Sequence, residues 1–348
     1  MLNRSLDQFK YWTKRAAIAS TVFVVIISVL GVLLWRDRAS LDEIDWQPYP
    51  DIPPALDAVT MTWLGVTTLL FDDGETQILI DGFFSRPSLL DVALGRPVES
   101  DAATINYVLD EYHMRRLAAI IPVHSHYDHA MDIGAIANRT SASILGSSSS
   151  AQIALGAGVP EDQIVEVASG SEYSFGRFTV TMIGSNHAPI AWGGSVPYAG
   201  TIDEPLITPA PVSAWREGKS YSIVIAHPYG TTVVQGSAGF VPGALDGIEA
   251  DVVMLGVSLI EGLGREYVEQ YWQNLVTTTG AAHVFPFHFD DFLQPFGEIV
   301  LYPRALDNFI DTAKWLDEIR ARWDTDVKLH LPEFGKAVVL YPQVAPEA

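Results

Sequence analysis

The chain contains no cysteine. Disulfides and thiolate metal ligands are therefore excluded, and any metal must be held by histidine, aspartate or glutamate. Basic residues are scarce: 21 Lys and Arg stand against 42 Asp and Glu, for a formal net charge of -21. Binding nucleic acid through its phosphates needs a cationic surface, so no nucleic-acid partner is expected. Docking on an anionic lipid surface by charge alone is disfavoured for the same reason. No internal repeat at a fixed period is present, and nothing in the sequence speaks to oligomeric state. What remains is globular in proportion, with 48% hydrophobic and 18% charged residues over 348 positions, enough for a sizeable core.

Charge is missing altogether from residues 16–35, AAIASTVFVVIISVLGVLLW. At ~1.5 Å per helical residue this run matches a bilayer core of about 30 Å. A cleaved secretory signal has an apolar region of about 7–15 residues followed by a small-x-small site. This run is longer and lacks such a site, so it reads as a transmembrane signal anchor. Arg4, Lys10, Lys14 and Arg15 precede it, and Arg36 and Arg38 follow. That bias puts the tail 1–15 in the cytoplasm and the main domain outside the cell membrane. Residues 36–56 are charged and proline-rich and read as an extended linker. Residues 57–348 read as one domain.

Within it, apolar runs predict strands over 58–63, 67–71, 77–81, 117–123, 143–146, 176–183, 220–226, 231–235, 251–255 and 283–287. The Asp-Gly turn at 73–74 marks a hairpin. Helices are expected over 104–116, 131–139, 264–277 and 303–322. Strands mixed with helices in this way indicate an α/β class, sheets covered by helices. The stretch 190–219 is rich in glycine, proline and tryptophan and has little periodicity. A loop that long inside a compact domain is often functional; with Trp192, Tyr198 and Trp215 it suggests an apolar lid over a substrate.

The chemistry concentrates in Val123-His-Ser-His-Tyr-Asp-His-Ala130, directly after the predicted strand ending at 123. His124 and His126, two apart at a strand end, can point into one site, and imidazole suits zinc. Asp128 and His129 can face a second position close by. Two cations about 3.5–4 Å apart clamp the attacking and leaving oxygens of a hydrolysis.

His124-Ser-His126-Tyr-Asp128-His129 resembles the H-x-H-x-D-H signature of the metallo-β-lactamase fold superfamily. The resemblance extends over most of 57–348 and implies an αββα four-layer sandwich with metals at one edge. Trp63-Leu-Gly-Val-Thr67 and Ile78-Leu-Ile-Asp81 resemble the opening strands of the branch holding ascorbate-phosphate lactonase-like and N-acylethanolamine phospholipase-like proteins. That branch carries Asp-Pro before Phe-Ser-Arg; here Asp81 is followed by Gly82. The resemblance implies that His124, His126 and His187 hold one metal and that Asp128, His129 and His288 hold the other. It implies Asp81 behind a ligand histidine, fixing its tautomer. Most members place a bridging Asp where this chain has Ser237 in Gln-Gly236-Ser-Ala-Gly239. A hydroxyl does not bridge two dications as a carboxylate does. Either the second metal is weak, or hydroxide alone bridges the pair, as in a subclass of metallo-β-lactamases with serine at this place.

The implied cofactor is zinc, two ions or one, with iron or manganese also compatible with the ligand set. The implied activity is metal-dependent hydrolysis by a metal-bound hydroxide that Asp128 orients. An ester or a phosphodiester, lipid-derived given the anchor, is the leading substrate class; lactones, amides and β-lactams remain open. A non-catalytic ligand- or partner-binding domain and redox use of iron are the readings from other classes. His113, His227, His283 and His330 are not expected at the site. Asp290 and Asp291, just past His288, read as exposed loop acids, with an acid/base role or an extra metal contact as the alternative.

Overall fold

The computed structural model describes residues 2–55, 58–191 and 193–341, with backbone only at 2–10, 16 and 17. The expected boundary between linker and domain, at 56–57, lies outside the described residues, as does Trp192. In chain order the elements are α1 (Leu2–Arg36), β1 (Thr60–Trp63), β2 (Leu69–Asp72), β3 (Gln77–Ile80), α2 (Leu89–Ala93), β4 (Pro97–Val98), α3 (Ala102–Glu111), β5 (Leu117–Ile121), α4 (Tyr127–Ala130), α5 (Ile133–Thr140), β6 (Ser143–Gly146) and α6 (Ser148–Gly156). They continue with β7 (Ile164–Glu166), β8 (Glu172–Phe175), β9 (Phe178–Ser185), β10 (Ala210–Pro211), β11 (Ser220–His227), β12 (Gly230–Gln235), β13 (Val252–Gly256), α7 (Arg265–Trp272), β14 (His283–Phe287), α8 (Phe309–Trp323), β15 (Lys328–Leu329) and β16 (Ala337–Val339).

Fourteen of these strands form two seven-stranded sheets, ordered β16-β1-β2-β3-β5-β6-β7 and β15-β14-β13-β12-β11-β9-β8. In each, an antiparallel half meets a parallel half: at β3/β5 in the first, at β12/β13 in the second. Strand alternation assigns the two faces of the first sheet. Leu69, Phe71, Ile78, Ile80, Ala119 and Ile121 point to a core shared with the second sheet. Leu70, Leu79 and Ile120 point the other way, onto Ile105 and Val108 of α3, Ile133 and Ile136 of α5 and Ile153 of α6. On the second sheet, α7 is fixed by Tyr271, whose hydroxyl donates to Gly256 O at 3.0 Å, and it is tied to the end of α8 by Trp272 Nε1 donating to Asp324 at 2.7 Å. The order is helices, sheet, sheet, helices.

α1 is the one described helix long and apolar enough to cross a membrane, over Tyr11–Arg36. Residues 37–50, expected as an extended linker, lie along the domain. Trp46 stacks edge-on against Phe309 and donates to Asp317 at 2.8 Å, and the buried Tyr49 donates to Leu340 O at 2.7 Å. α8 begins at Phe309, later than the expected 303, because 303–308 is a turn held by contacts with this segment: Arg304 N donates to Asp37 O at 2.8 Å.

Candidate metal centre

In open sheets with parallel strands, binding clefts form beyond the carboxyl ends of the strands. Asp81 follows β3, His124 and His126 follow β5, Ser237 follows β12, and His288 follows β14. These ends converge across the gap between the two sheets. His187 joins them from β9: Ala188 N donates to Ser237 O at 2.9 Å, stitching its loop to the one after β12. Gly239 permits that approach, since a Cβ there would lie 2.1 Å from Asn186 O.

The turn carrying His124 and His126 is pinned from several segments. Val123 N donates to Asp81 Oδ1 at 2.7 Å, Ser125 N to Glu217 O at 2.9 Å, and Tyr221 N to Val123 O at 3.0 Å. His126 is the N-cap of α4, which puts Asp128 and His129 on one turn of helix. Of the non-glycine residues in the left-handed region, Val66, Asp81, Tyr198, Ala238, Leu259 and His288 surround this site. Such backbone costs on the order of 1–3 kcal/mol per residue and persists where the surroundings over-determine it. Asp290 does so for Val66, accepting its N–H through both oxygens at 2.9 and 3.0 Å. That turn sets Thr67, whose hydroxyl donates to Asp81 Oδ2 and lies 2.7 Å from His129 Nδ1.

The six expected ligands come together as two triads, His124–His126–His187 and Asp128–His129–His288, each with its ligand atoms within 4.8 Å of one another. The triads adjoin, with the rings of His124 and His129 3.9 Å apart between centroids. Whether the residues suit a metal depends on their nitrogens. His126 Nε2 donates to Pro197 O at 2.8 Å and His187 Nδ1 to Ala188 O at 2.7 Å, while His124 Nδ1 lies 2.9 Å from the Ser237 hydroxyl. The two carbonyls, which only accept, assign the tautomers of His126 and His187. His126 and His187 then each keep one lone pair for the triad, and His124 Nε2 lies 2.8 Å from His126 Nδ1. Burial keeps all three rings neutral, the form that ligates. Burial and then neighbouring His129 push His124 well below its ordinary pKa; burial and then His187 bring His126 to about 3; burial brings His187 to about 4.

In the second triad Asp128 Oδ2 lies 3.5 Å from His129 Nε2 and 3.6 Å from His288 Nε2. Burial alone would raise the Asp128 carboxyl, but His129 and the bond to His288 outweigh it and hold the carboxyl well below its usual range. Burial lowers the His129 imidazole, but Asp128 and Asp81 overcome this and raise it. Asp81 Oδ2 lies 2.8 Å from His129 Nδ1 and leaves Nε2 for the triad. His288 Nδ1 is buried without a protein partner. The donor set, three neutral imidazoles beside a carboxylate and two imidazoles, fits one or two divalent cations.

Both triads border a cleft of about 200 Å³ whose rim includes Ile190, Pro197, Tyr198, Leu259 and Phe292. The lid expectation changes here. Tyr198 stands at the rim, edge-on to His126. Trp215 does not; it is fully buried in the core between the first sheet and its helices. Asp290 and Asp291 are buried rather than exposed, Asp291 paired with Arg38 at 2.8 Å. His283 and His330 pair with each other at 3.0 Å at the start of β14, the end away from His288. Thr67, the Pro197 carbonyl and Leu259 carry no spacing signal in the sequence. Gly82 has φ +125°, a conformation closed to proline, which accounts for the missing Asp-Pro pair.

No known family's sequence profile matches this chain. Residues of this chain are 29% identical over 121 positions to a UPF0173 metal-dependent hydrolase of Heliobacterium modesticaldum. That match covers 35% of this chain and 43% of the relative's length. Among solved structures, a possible metal-dependent hydrolase from Veillonella parvula superposes with a TM-score of 0.50 at 15% identity, over 81% of this chain and 100% of that one. A metallo-β-lactamase fold protein from Bacillus subtilis gives 0.48 at 13% identity, over 81% and 100%. The Veillonella protein shares this chain's fold.

Proposed function

We propose that the protein is a metal-dependent hydrolase anchored by α1 in a membrane, with its N-terminus cytoplasmic and its catalytic domain on the other side. The observation that carries the catalytic reading is the pair of adjoining triads, each with spare ligand atoms within 4.8 Å, at the floor of one cleft. The names of the Heliobacterium and Veillonella proteins point to the same chemistry.

His124, His126 and His187 would hold one cation, and Asp128, His129 and His288 a second, zinc in the first instance. A divalent metal there would lower the pKa of coordinated water to about 7 and polarise a substrate oxygen. The chain's own residues supply the rest. Asp128 is held ionised by His129 and His288, so at neutral pH it is a hydrogen-bond acceptor able to orient a water. Asp81 and Thr67 hold the His129 ring in one tautomer, and Ser237 holds the orientation of the His124 ring. Tyr198, Ile190, Leu259 and Phe292 form an apolar rim that excludes bulk water.

A cleft of about 200 Å³ admits a reactive linkage and its neighbours rather than a whole lipid. With the anchor, this favours an ester or phosphodiester of an amphiphile whose tail stays outside. The test is elemental analysis together with a panel of phosphodiester, lactone and β-lactam substrates. His126→Ala with Asp128→Ala is expected to abolish both metal uptake and turnover. Hydrolysis retained in that variant rejects the mechanism, and a metal-free native protein would favour a binding domain.

A further inference from the structure

The helix α1 does not hand over to a flexible tether. Its ladder continues through Asp37 N donating to Leu33 O at 3.1 Å. The domain grips the next residue: Arg304 N donates to Asp37 O at 2.8 Å, and Arg38 pairs with Pro303 through a backbone bridge. The Arg38 guanidinium bonds Leu301 O and forms an ion pair with Asp291 at 2.8 Å, while Arg304 reaches Glu43 at 2.7 Å. The apolar run ends at Trp35, so the domain contact begins about two residues, or ~3 Å of helical rise, beyond the membrane-compatible stretch.

This grip is on the cleft side of the fold. Asp291 is three residues past His288, Asp290 pairs with Leu301, and Phe292 is on the cleft rim. From the clamp the chain runs down the flank of α8, by Trp46 on Phe309, to Tyr49, whose ring packs against His283. His283 begins β14, and His288 follows its far end. The chain therefore meets the domain at the cleft edge and leaves for β1 at the opposite one. The clamp segment also carries exposed apolar side chains, Leu306 at 52% and Val300 at 38%, with Glu298 beside them. Apolar groups at a membrane-proximal surface are buried favourably at the headgroup boundary. A net charge of -21 gives no electrostatic attraction to anionic lipid, so rigid coupling to α1 is what holds the face there.

We infer that the Arg38–Asp291–Arg304 clamp holds the cleft edge of the domain, through segment 300–306, against the surface of the bilayer in which α1 sits. This rests on the reading of α1 as an anchor and is independent of the hydrolytic reading. The absence of cysteine allows clean single-site labelling. Bimane would be attached at Leu306→Cys, at Arg115→Cys or at Val25→Cys, in full-length protein reconstituted in phosphatidylcholine vesicles. Arg115 precedes β5 and so lies at the end of that strand opposite to His124, with the strand's roughly 17 Å between them. Spin-labelled headgroups should quench Leu306 at least threefold more than Arg115, and acyl-chain spin labels should quench Val25. Arg38→Ala with Arg304→Ala should bring Leu306 down to the Arg115 level and leave Val25 quenched. Leu306 no better quenched than Arg115, with Val25 quenched, overturns the inference and leaves the anchor standing. Unquenched Val25 overturns the anchor and the inference with it. Leu306 quenching that survives the double substitution overturns the clamp as its cause. The native-clamp comparison of Leu306 with Arg115 does not depend on the variant folding.

Discussion

Asp81 Oδ2 lies 2.8 Å from His129 Nδ1, while Asp81 Oδ1 accepts the Val123 N–H at 2.7 Å. One buried carboxylate thus orients a ligand of the second triad and fixes the turn that carries the first. Asp81→Asn keeps the shape but replaces one acceptor by a donor. Metal affinity at the Asp128–His129–His288 triad should fall about 10–100-fold, the usual effect of losing such a partner. Calorimetric titration of metal-free protein checks this; unchanged affinity would remove Asp81 from the role.

Ser237 presents a different case, because its hydroxyl faces the outer nitrogen of His124 at 2.9 Å. Ser237→Ala should loosen that ring and speed metal loss from the His124–His126–His187 triad by roughly tenfold, leaving the other triad alone. Chelator competition, followed as two release phases, measures both. Equal slowing or equal speeding of the two phases would contradict an assignment to His124.

The long segment after His187 divides by function at Tyr198 and Trp215. Tyr198 stands at the cleft rim, whereas Trp215 is fully buried beside the first sheet. Tyr198→Ala should raise KM with little loss of stability. Trp215→Ala should cost about 3–5 kcal/mol in denaturant unfolding, as large aromatic truncations in cores do, with KM unchanged. The reverse pattern would return Trp215 to the rim.

Asp307 sets a pH dependence. Burial pushes its carboxyl up to about 7; Leu259 N donates to one oxygen at 3.2 Å, and the other is buried without a partner. A folded-state pKa above the unfolded value means that its stabilising contribution is present below about pH 4 and is lost as pH rises through about 7. The loss is on the order of 4 kcal/mol by pH 8. Asp307→Asn should flatten stability between pH 5 and 8 and raise Tm at pH 8. A Tm at pH 8 equal to or below that of the native protein would show Asp307 ionised without penalty.

Much of this could be read along the chain. The apolar runs ending at Ile80, Ile121 and Phe287 marked the central strands, because buried strands have a strong local composition. Among the missed elements, β7, β8, β15 and β16 are short strands at the sheet flanks, with residues alternating in exposure or only two or three positions long. Their pairing comes from a neighbour rather than from their own pattern. The linker looked extended because proline and charge dominate 36–56; its docking depends on Phe309, Asp317 and Asp291, more than 200 residues away.

At the site, the sequence by itself determined the chemistry available: no thiolate, and a run of histidines and an aspartate at a strand end. The identity of His187 and His288 came through resemblance, not through spacing, since they lie 58 and 159 positions beyond His129. Only the tertiary structure decided which nitrogen His126, His187 and His129 offer, because that choice belongs to the acceptor behind each: Pro197 O, Ala188 O and Asp81. It also decided that the cleft opens at the edge where α1 meets the domain. Ligand type is a property of a side chain and is written in the sequence; tautomer and orientation are set by hydrogen bonds between segments that meet only when the two sheets pack.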